Sequence, residues 1–572
     1  MRPSRVLALV LVVCAVASPY SGLVPGWTPG LATIVCFDAL SLLGLNLIFG
    51  VVGMLAFGQA AFLALPAYGA GILDTLGFPF ALDIIAGIGG SLLLAFLMAR
   101  IFVRLPGMYL AVGTLGFGYV VEGLARAFPA ISGGASGLVF SRGRAIGADA
   151  WYAIAVAALA IGIALYSWLV RGAFWRRLRT ICHDELAAAV LGIDVAGVKS
   201  QVFVVGCAFA VFAGILHAYY VGVIIPEDAG VDRSLEQVGM LMVGGLGYLL
   251  GPLIGTALIQ WLFIVTGYAQ RYELVIYGAA FLAAVAFARE GIAGWLDRPW
   301  RIIAGWLDRR ATPSPVSPHG GSSPIAETRA DRSEACLAVS HVSKQFGGVR
   351  ALDDVGFSVG FGEIFAIVGP NGAGKSTLFN IVSGIEAASA GEVRLMGRDL
   401  GRVAIANRAP LIGRSFQVAR LVPDLTALGN VMVRLDQIDP TLNESQRVGR
   451  ALAQLESFGL GSLADQLVRE LPLGQRKLID LARAAVGDPP LVLLDEPAVG
   501  LTSDELAHLA GLLDQLRGRG SAVVIVEHNM EFVIGIAERG IVLDSGRVIA
   551  MGRVREILRD PRVHEAYFGA LA

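Results

Sequence analysis

Charge is what this chain has least of. Only 16% of its 572 residues are Asp, Glu, Lys or Arg, where a soluble protein usually carries about a quarter. The formal balance is −1, so the strongly basic footprint of a nucleic-acid-binding surface is missing. Cysteine is nearly as scarce: Cys14, Cys36, Cys182, Cys207 and Cys336 have no metal-ligand spacing. Four of them lie in or beside apolar runs, where the thiol behaves as a small core residue. Neither a disulfide nor a metal site is expected from them. What fills the chain is apolar, 55% hydrophobic with a mean hydropathy of +0.67. The average conceals a split. The first half is almost wholly apolar and glycine-rich, while the second alternates as a soluble α/β domain does, and the length allows two or more domains.

Residues 1–290 read as a membrane domain. Met1-Arg2-Pro3-Ser4-Arg5 precedes an apolar stretch at 6–17, which reads as a cleaved signal peptide or a retained first span. Further spans follow at once, so retention is the expectation. Apolar segments follow near 31–50, 54–75, 80–103, 108–128, 151–170, 198–222, 237–250, 251–267 and 273–288. Most approach the roughly twenty residues a helix needs to cross hydrocarbon, giving a polytopic α-helical domain of about ten spans. The segment at 237–250 is short, which suits a broken or re-entrant helix. Arg100, Arg104, Arg171, Arg176, Arg177, Arg179, Lys199 and Arg289 flank alternate connections, which places those connections in the cytoplasm; Arg142 and Arg144 fall outside.

Two glycine-rich stretches, 44–62 with Asn46 and Gln59, and 243–255, either let helices approach closely or break them along a translocation path. Asp38, Glu122 and Arg126 sit within or at the ends of apolar segments, as functional charges or as snorkelling side chains. The longest internal cytoplasmic stretch, 171–198, contains a short helix ending at Gly192, and is either a solvated connection or, in a transporter, the natural docking point for an ATPase domain. Next comes a junction at 291–335. Ile292-Ala293-Gly294-Trp295-Leu296-Asp297-Arg298 recurs at 303–309, eleven residues on. That is close to three helical turns, which suits an amphipathic surface helix or a duplicated spacer. A Pro- and Ser-rich tether at 311–335 follows.

Residues 336–572 carry the chemistry. An apolar strand at Ile364 to Val368 runs into Gly369-Pro370-Asn371-Gly372-Ala373-Gly374-Lys375-Ser376-Thr377, and a helix leaves it. Strand, glycine turn, lysine, hydroxyl and helix in that order make a phosphate-binding loop, because consecutive backbone N–H groups can wrap a phosphate chain only where side chains do not block the approach. Lys375 would reach the β- and γ-phosphates and the Ser376 hydroxyl would ligate Mg²⁺. Phe346 lies about thirty residues before the lysine and is a candidate for stacking on adenine. Gln417 follows about forty residues after the lysine. Leu471-Pro472-Leu473-Gly474-Gln475 opens a helix whose first amides suit an anion. A buried strand then delivers Asp495 and Glu496 at its C-terminal edge, the first suited to a water-mediated hold on Mg²⁺ and the second to polarising the attacking water. A second such run ends in Glu527-His528, which would put an imidazole beside the γ-phosphate.

The phosphate loop, Gln417, the 471–475 stretch, Asp495-Glu496 and His528, in this order, resemble the ATP-binding-cassette ATPases over essentially all of 336–572. The resemblance implies an α/β P-loop ATPase domain that works as a sandwich dimer, in which Leu473, Gly474 and Gln475 face ATP held by the other cassette. It also implies adenine contact at Phe346, nucleotide contact along 369–377, and Mg²⁺ at Ser376, Gln417 and Asp495. Catalytic roles fall to Lys375, Gln417, Glu496 and His528, with Gln417 also touching the permease. Two departures stand out: Pro472 replaces the usual signature serine, and Gly500-Leu501-Thr502 stands where many cassettes have Leu-Asp.

The membrane half, through 44–62, 109–118, Ser132-Gly133-Gly134-Ala135-Ser136-Gly137, 185–192 and 243–255, resembles the permease subunits of branched-chain amino acid importers. The ending Asp560-Pro561-Arg562-Val563 is similar to the ATPases of the same systems. Together these imply a permease fused to an ATPase, importing branched-chain or related amino acids across a bacterial inner membrane with the ATPase in the cytoplasm. The partners implied are a second permease, a second ATPase and a periplasmic binding protein; a homodimer is the alternative. Urea or short amides are alternative cargo. An exporter fits less well, because exporters of this family usually have six spans with long charged helical extensions. A membrane-tethered ATPase without a transport role fits less well too, since soluble relatives of that kind generally carry two cassettes.

Overall fold

The computed structural model describes residues 28–140, 146–266, 291–295 and 335–563, with positions 275, 278, 279, 282 and 286 between them. The apolar stretch at 6–17, Arg142, Arg144, Arg289, most of the segment at 273–288, the second copy of the junction repeat and the tether up to 334 lie outside the described residues.

The helices of the first half are α1 (Pro29–Leu45, extended by a π-helical turn Asn46–Val51), α2 (Gln59–Thr75), α3 (Phe80–Phe102), α4 (Gly107–Ala127), α5 (Ala148–Leu169), α6 (Gly172–His183), α7 (Glu185–Val190), α8 (Val195–Val221), α9 (Val231–Gly244) and α10 (Gly251–Thr266). The chain divides into two compact units. The first holds Met1–Arg171 and Ala196–Pro315, and the second holds Gly172–Val195, and therefore α6 and α7, with Val316–Ala572.

In the first unit, five helices among the described residues are long and apolar enough to cross a membrane: α1 with its π-helical turn, α3, α4, α5 and α8. They differ in burial. The apolar window of α1 is 83% buried whereas that of α3 is 22% buried, so α1 is central and α3 turns Ile85, Leu93, Phe96 and Ile101 outward, as a lipid-facing helix does. The glycines give close packing where helices cross. A Cβ on Gly44 would lie 2.1 Å from the Gly206 carbonyl oxygen, and one on Gly255 would lie 1.9 Å from that of Met240.

The segment expected at 237–250 is instead helix α9, which starts at Val231 and stops at Gly244. Hydropathy misses its first turns because they carry Asp232, Arg233 and Glu236, and the structure supplies the compensation. Arg233 pairs with Asp38 of α1 at 2.7 Å and with Glu236 at 2.7 Å. Asp38, 1% exposed, also accepts from Gln260 of α10 at 3.1 Å. This is a buried pair in mid-helix and not a snorkelling end. Glu122 and Arg126 do sit at an exposed helix end, joined at 2.8 Å, with Arg126 also 2.7 Å from Glu227.

The turn from α9 into α10 is tied down by Asn46. Its amide oxygen accepts from the Gly247 N–H at 2.8 Å, and its nitrogen donates to Tyr248 O and to the Tyr166 hydroxyl, both at 2.9 Å. A buried turn with orphan backbone groups would be costly in hydrocarbon, and one asparagine satisfies two of them.

The second unit is built on two sheets. Strands β1 (Leu337–Phe346), β2 (Val349–Val359), β3 (Ile364–Val368), β4 (Ala390–Leu395), β5 (Ile412–Arg414), β6 (Leu491–Asp495), β7 (Ala522–Val526), β8 (Arg539–Asp544) and β9 (Arg547–Arg553) alternate with helices α11 (Lys375–Ser383), α12 (Ala427–Ile438), α13 (Glu444–Ser457), α14 (Leu473–Ala485) and α15 (Ser503–Gly518). The six-stranded sheet has the order β9-β8-β3-β7-β6-β5, and the four-stranded sheet contains β2-β1-β4. All ladders of the six-stranded sheet are parallel except β8 with β9. The central strands read as unbroken apolar runs because both faces are covered. Ile364, Ala366 and Val368 pack into the core beneath α12 and α14, while Phe365 and Ile367 pack toward β1 and β2.

Candidate nucleotide site

The phosphate loop leaves β3 at Val368 and enters α11 at Lys375, as the sequence pattern requires. Its turn depends on glycine at Gly369, whose φ is +150° and whose Cβ would lie 2.1 Å from the Leu543 carbonyl oxygen, and at Gly374, with φ +100°. Gly372, with φ +83°, would point a Cβ into open space, so the loop leaves room for a ligand against its backbone. The Lys375 ammonium is held by the carbonyl oxygens of Gly369 and Pro370 at 2.7 and 2.8 Å. Burial lowers its pKa, opposed by the carboxylates of Glu496 and Asp495. Ser376 is exposed at the first turn of α11. The donor set therefore fits a nucleotide phosphate chain with its cation: loop amides, one ammonium, one accessible hydroxyl and an acidic pair nearby.

β6 delivers the acidic pair. Asp495 ends the strand, 9% exposed, and burial raises its pKa, with Arg414 pulling the other way. Glu496 follows in a left-handed conformation, φ +49°, which a non-glycine residue adopts only at some cost. Its N–H is held by Val526 O at 2.9 Å. One carboxylate oxygen accepts from Gln417 at 2.8 Å, and the other lies 3.1 Å from His528 Nε2. Three residues read from separate stretches of sequence thus meet at one carboxylate.

The structure does not bring every candidate to this point. Leu473 lies against Gly500, and Gly474 lies against Glu505, on the first turn of α14. No described contact joins Leu473, Gly474 or Gln475 to this cassette's own phosphate loop. Phe346 is exposed at the end of β1 with the Lys344 ammonium 4.6 Å from its ring centre. Pro472 begins α14 without a side-chain cap. Thr502 instead caps α15 in a reciprocal pair with Glu505, which gives that departure a local structural reason.

Sequence reasoning misses the side chains that hold α6 and α7 to the cassette. Arg176 of α6 makes two-pronged contacts with Asp436 of α12, both at 2.8 Å, and with Glu444 of α13 at 2.7 and 3.0 Å. Asp184 caps α7 by accepting from the Ala187 N–H and binds Arg420 at 2.6 Å. Arg179 pairs with Asp424. Ala187 and Val190 of α7 pack on Phe416, the residue before Gln417. Gly192, two residues past the end of α7, has φ +100°, and a Cβ there would lie 2.8 Å from that of Ala409. Only the capping pattern and Gly192 are legible locally.

A phosphate loop, two strand-end carboxylates, a glutamine and a histidine on a mostly parallel sheet define a P-loop nucleotide hydrolase, here continuous in sequence with apolar helices. Comparison with known proteins narrows the class. Residues 352–499 match the ABC transporter family, 31–285 match the permease component of branched-chain amino acid transport systems, and 547–571 match the branched-chain amino acid ATP-binding cassette transporter family. The lipopolysaccharide export ATP-binding protein LptB of Escherichia coli K12 is 34% identical over 236 residues, 41% of this chain and 98% of that protein. The high-affinity branched-chain amino acid transport ATP-binding protein LivG of Salmonella typhimurium is 32% identical over 252 residues, 41% of this chain and 99% of that protein. A solved nucleotide-free ATP-binding cassette from an ABC transporter is 30% identical, with 41% of this chain and 100% of that chain covered, at a TM-score of 0.37.

The chain belongs to the ABC transporter family and joins a membrane permease domain of the branched-chain amino acid type to an ATP-binding cassette. It is an ATP hydrolase coupled to transport.

Proposed function

We propose that the chain is the fused permease and ATPase component of an importer for branched-chain or related amino acids. It would sit in a bacterial inner membrane with the cassette in the cytoplasm. A permease domain at 1–290 with about ten spans, a junction at 291–335 and a cassette at 336–572 complete this reading. The sandwich needs two cassettes, so a second permease, a second ATPase and a periplasmic binding protein are the proposed partners. Urea or short amides are the nearest alternative cargo.

In the ATPase cycle, the amides of 369–377 and Lys375 bind and orient the phosphate chain, and Phe346 stacks on adenine. Mg²⁺, when bound, would be held by Ser376, Gln417 and, through water, Asp495, and would supply charge neutralisation to the phosphates. Glu496 accepts the proton of the attacking water at its carboxylate, and His528 orients that carboxylate and the terminal phosphate. Leu473, Gly474 and Gln475 serve the nucleotide of the opposite cassette.

One set of contacts carries this reading. α7 packs on Phe416, the next residue is Gln417, and Gln417 holds the carboxylate of Glu496. α6 and α7 are continuous in sequence with α5 and α8. The state of the nucleotide site is therefore mechanically joined, through consecutive neighbours, to a loop between two apolar helices. The test is uptake of radiolabelled leucine, isoleucine or valine by the assembled complex in sealed liposomes with its binding protein and ATP. ATP-dependent accumulation that Glu496→Gln abolishes supports the reading; ATP turnover without accumulation of any candidate solute refutes it.

A further inference from the structure

Lys477 lies two residues beyond Gln475 on α14 and is 8% exposed. It donates to the main-chain carbonyl oxygen of Glu496 at 2.9 Å. Glu496 is the residue whose backbone is left-handed, so its peptide needs outside support to stay there. That support has two parts: Val526 O takes the N–H, and Lys477 takes the carbonyl. A buried ammonium is expensive unless it is compensated, and burial does lower the pKa of Lys477, with the carboxylates of Glu527, Glu496 and Asp480 pulling the other way.

We propose that Lys477 is a positioning residue for ATP hydrolysis, linking the helix that begins with Leu473, Gly474 and Gln475 to the backbone of Glu496. This rests on the reading that Glu496 is the base and that Gln475 serves the nucleotide held by the opposite cassette. On that reading, one cassette takes part in two composite sites. Its first turn of α14 contacts one nucleotide and its Glu496 acts on the other. The Lys477–carbonyl bond makes these two ends one lever, because a shift of α14 moves the peptide that aims the carboxylate. The two nucleotide sites are then coupled through a single side chain within one cassette.

The experiment measures steady-state ATP hydrolysis by the assembled transporter for wild type, Lys477→Met, Lys477→Arg, Gln475→Ala, the Lys477→Met/Gln475→Ala double variant and Glu496→Gln. Lys477→Met is expected to lower kcat by about tenfold with KM for ATP changed less than about twofold, the pattern of an interaction used in the transition state. Lys477→Arg, which keeps a donor within reach of the carbonyl, restores kcat. The double variant is expected to be no slower than the slower single variant, because both break the same lever. Wild-type kcat in Lys477→Met, a loss that Arg does not restore, or fully multiplicative losses in the double variant each overturn the link. Loss of hydrolysis in Glu496→Gln keeps the assignment of the base standing in all those cases. Full turnover in Glu496→Gln would overturn the base, and the link with it.

Discussion

Arg176 and Asp436 form a two-pronged guanidinium–carboxylate pair with both contacts at 2.8 Å, buried on both sides. The pair ties α6 to α12 inside the second unit, and Glu444 completes the guanidinium's hydrogen bonding. Burial lowers the Arg176 pKa and the two carboxylates raise it, with a net rise. Removing Arg176 takes the two-pronged partner from a buried carboxylate that keeps Arg447 at 3.3 Å, and should cost about 1.5–3 kcal/mol. Arg176→Ala is therefore expected to detach α6 from the cassette. ATP hydrolysis would become uncoupled from transport, measured as the ratio of solute moved to ATP consumed. Lys at 176 restores little, since it cannot make the fork. An Arg176→Met/Asp436→Leu double variant is expected to recover much of the stability, and equal ratios in wild type and Arg176→Ala would refute the clamp.

Gly192 makes a second, independent point of docking. Its φ of +100° and the 2.8 Å approach to the Ala409 Cβ exclude any side chain without movement. Gly192→Ala should cost about 1–2 kcal/mol from the backbone alone, with the clash added. The expected outcome is faster protease cleavage between α6 and α8 in detergent and a lower transport-to-hydrolysis ratio; unchanged cleavage would count against it.

Asp495 offers a pH test with a definite sign. Burial raises its folded-state pKa above the ordinary value of 3.8. The folded protein thus holds the proton more tightly than the unfolded chain does. The penalty for its charge is absent below the unfolded pKa and grows as pH rises through the folded pKa. Asp495→Asn is expected to raise the melting temperature at neutral pH while lowering Mg²⁺-supported ATP hydrolysis. The thermal gain should shrink as pH falls below the folded pKa, because wild type then protonates. A gain independent of pH would point away from the charge.

Asp38 is the corresponding test in the first unit. It faces Arg233 at 2.7 Å and Gln260 at 3.1 Å. Asp38→Ala leaves the Arg233 guanidinium with Glu236 as its remaining described carboxylate partner and takes the acceptor from Gln260, and should cost about 1.5–3 kcal/mol. The folded fraction extracted in mild detergent would fall, and Asp38→Ala/Arg233→Leu would recover it. Recovery of folding without recovery of transport would assign the pair a part in solute passage as well as in packing.

Much of the nucleotide site is legible in the amino-acid sequence. The phosphate loop and its flanking strand and helix are one contiguous stretch, and Asp495-Glu496 and His528 each sit at or just past the end of an apolar run. Strand ends in a parallel sheet converge on one edge, so their meeting follows from the pattern. The contact of Lys477 with the Glu496 carbonyl does not, since nothing in a helical lysine announces a main-chain partner nineteen residues away. Hydropathy starts helix α9 six residues late because Asp232, Arg233 and Glu236 look like a loop until Asp38, 195 residues earlier than Arg233, is brought against them.

By itself, then, the amino-acid sequence determined the two kinds of material, an apolar helical half and a nucleotide-binding half, and the order of the chemical groups within the second. Those features are written locally, in runs of apolar residues and in glycines that a turn requires. Only the tertiary structure decided which charges are paired, which side chains hold α6 and α7 to the cassette, and how the base is held. Arg176 and Asp436 are 260 residues apart. An ion pair across that separation leaves no periodicity and no motif, because its stability comes from removing both groups from water together.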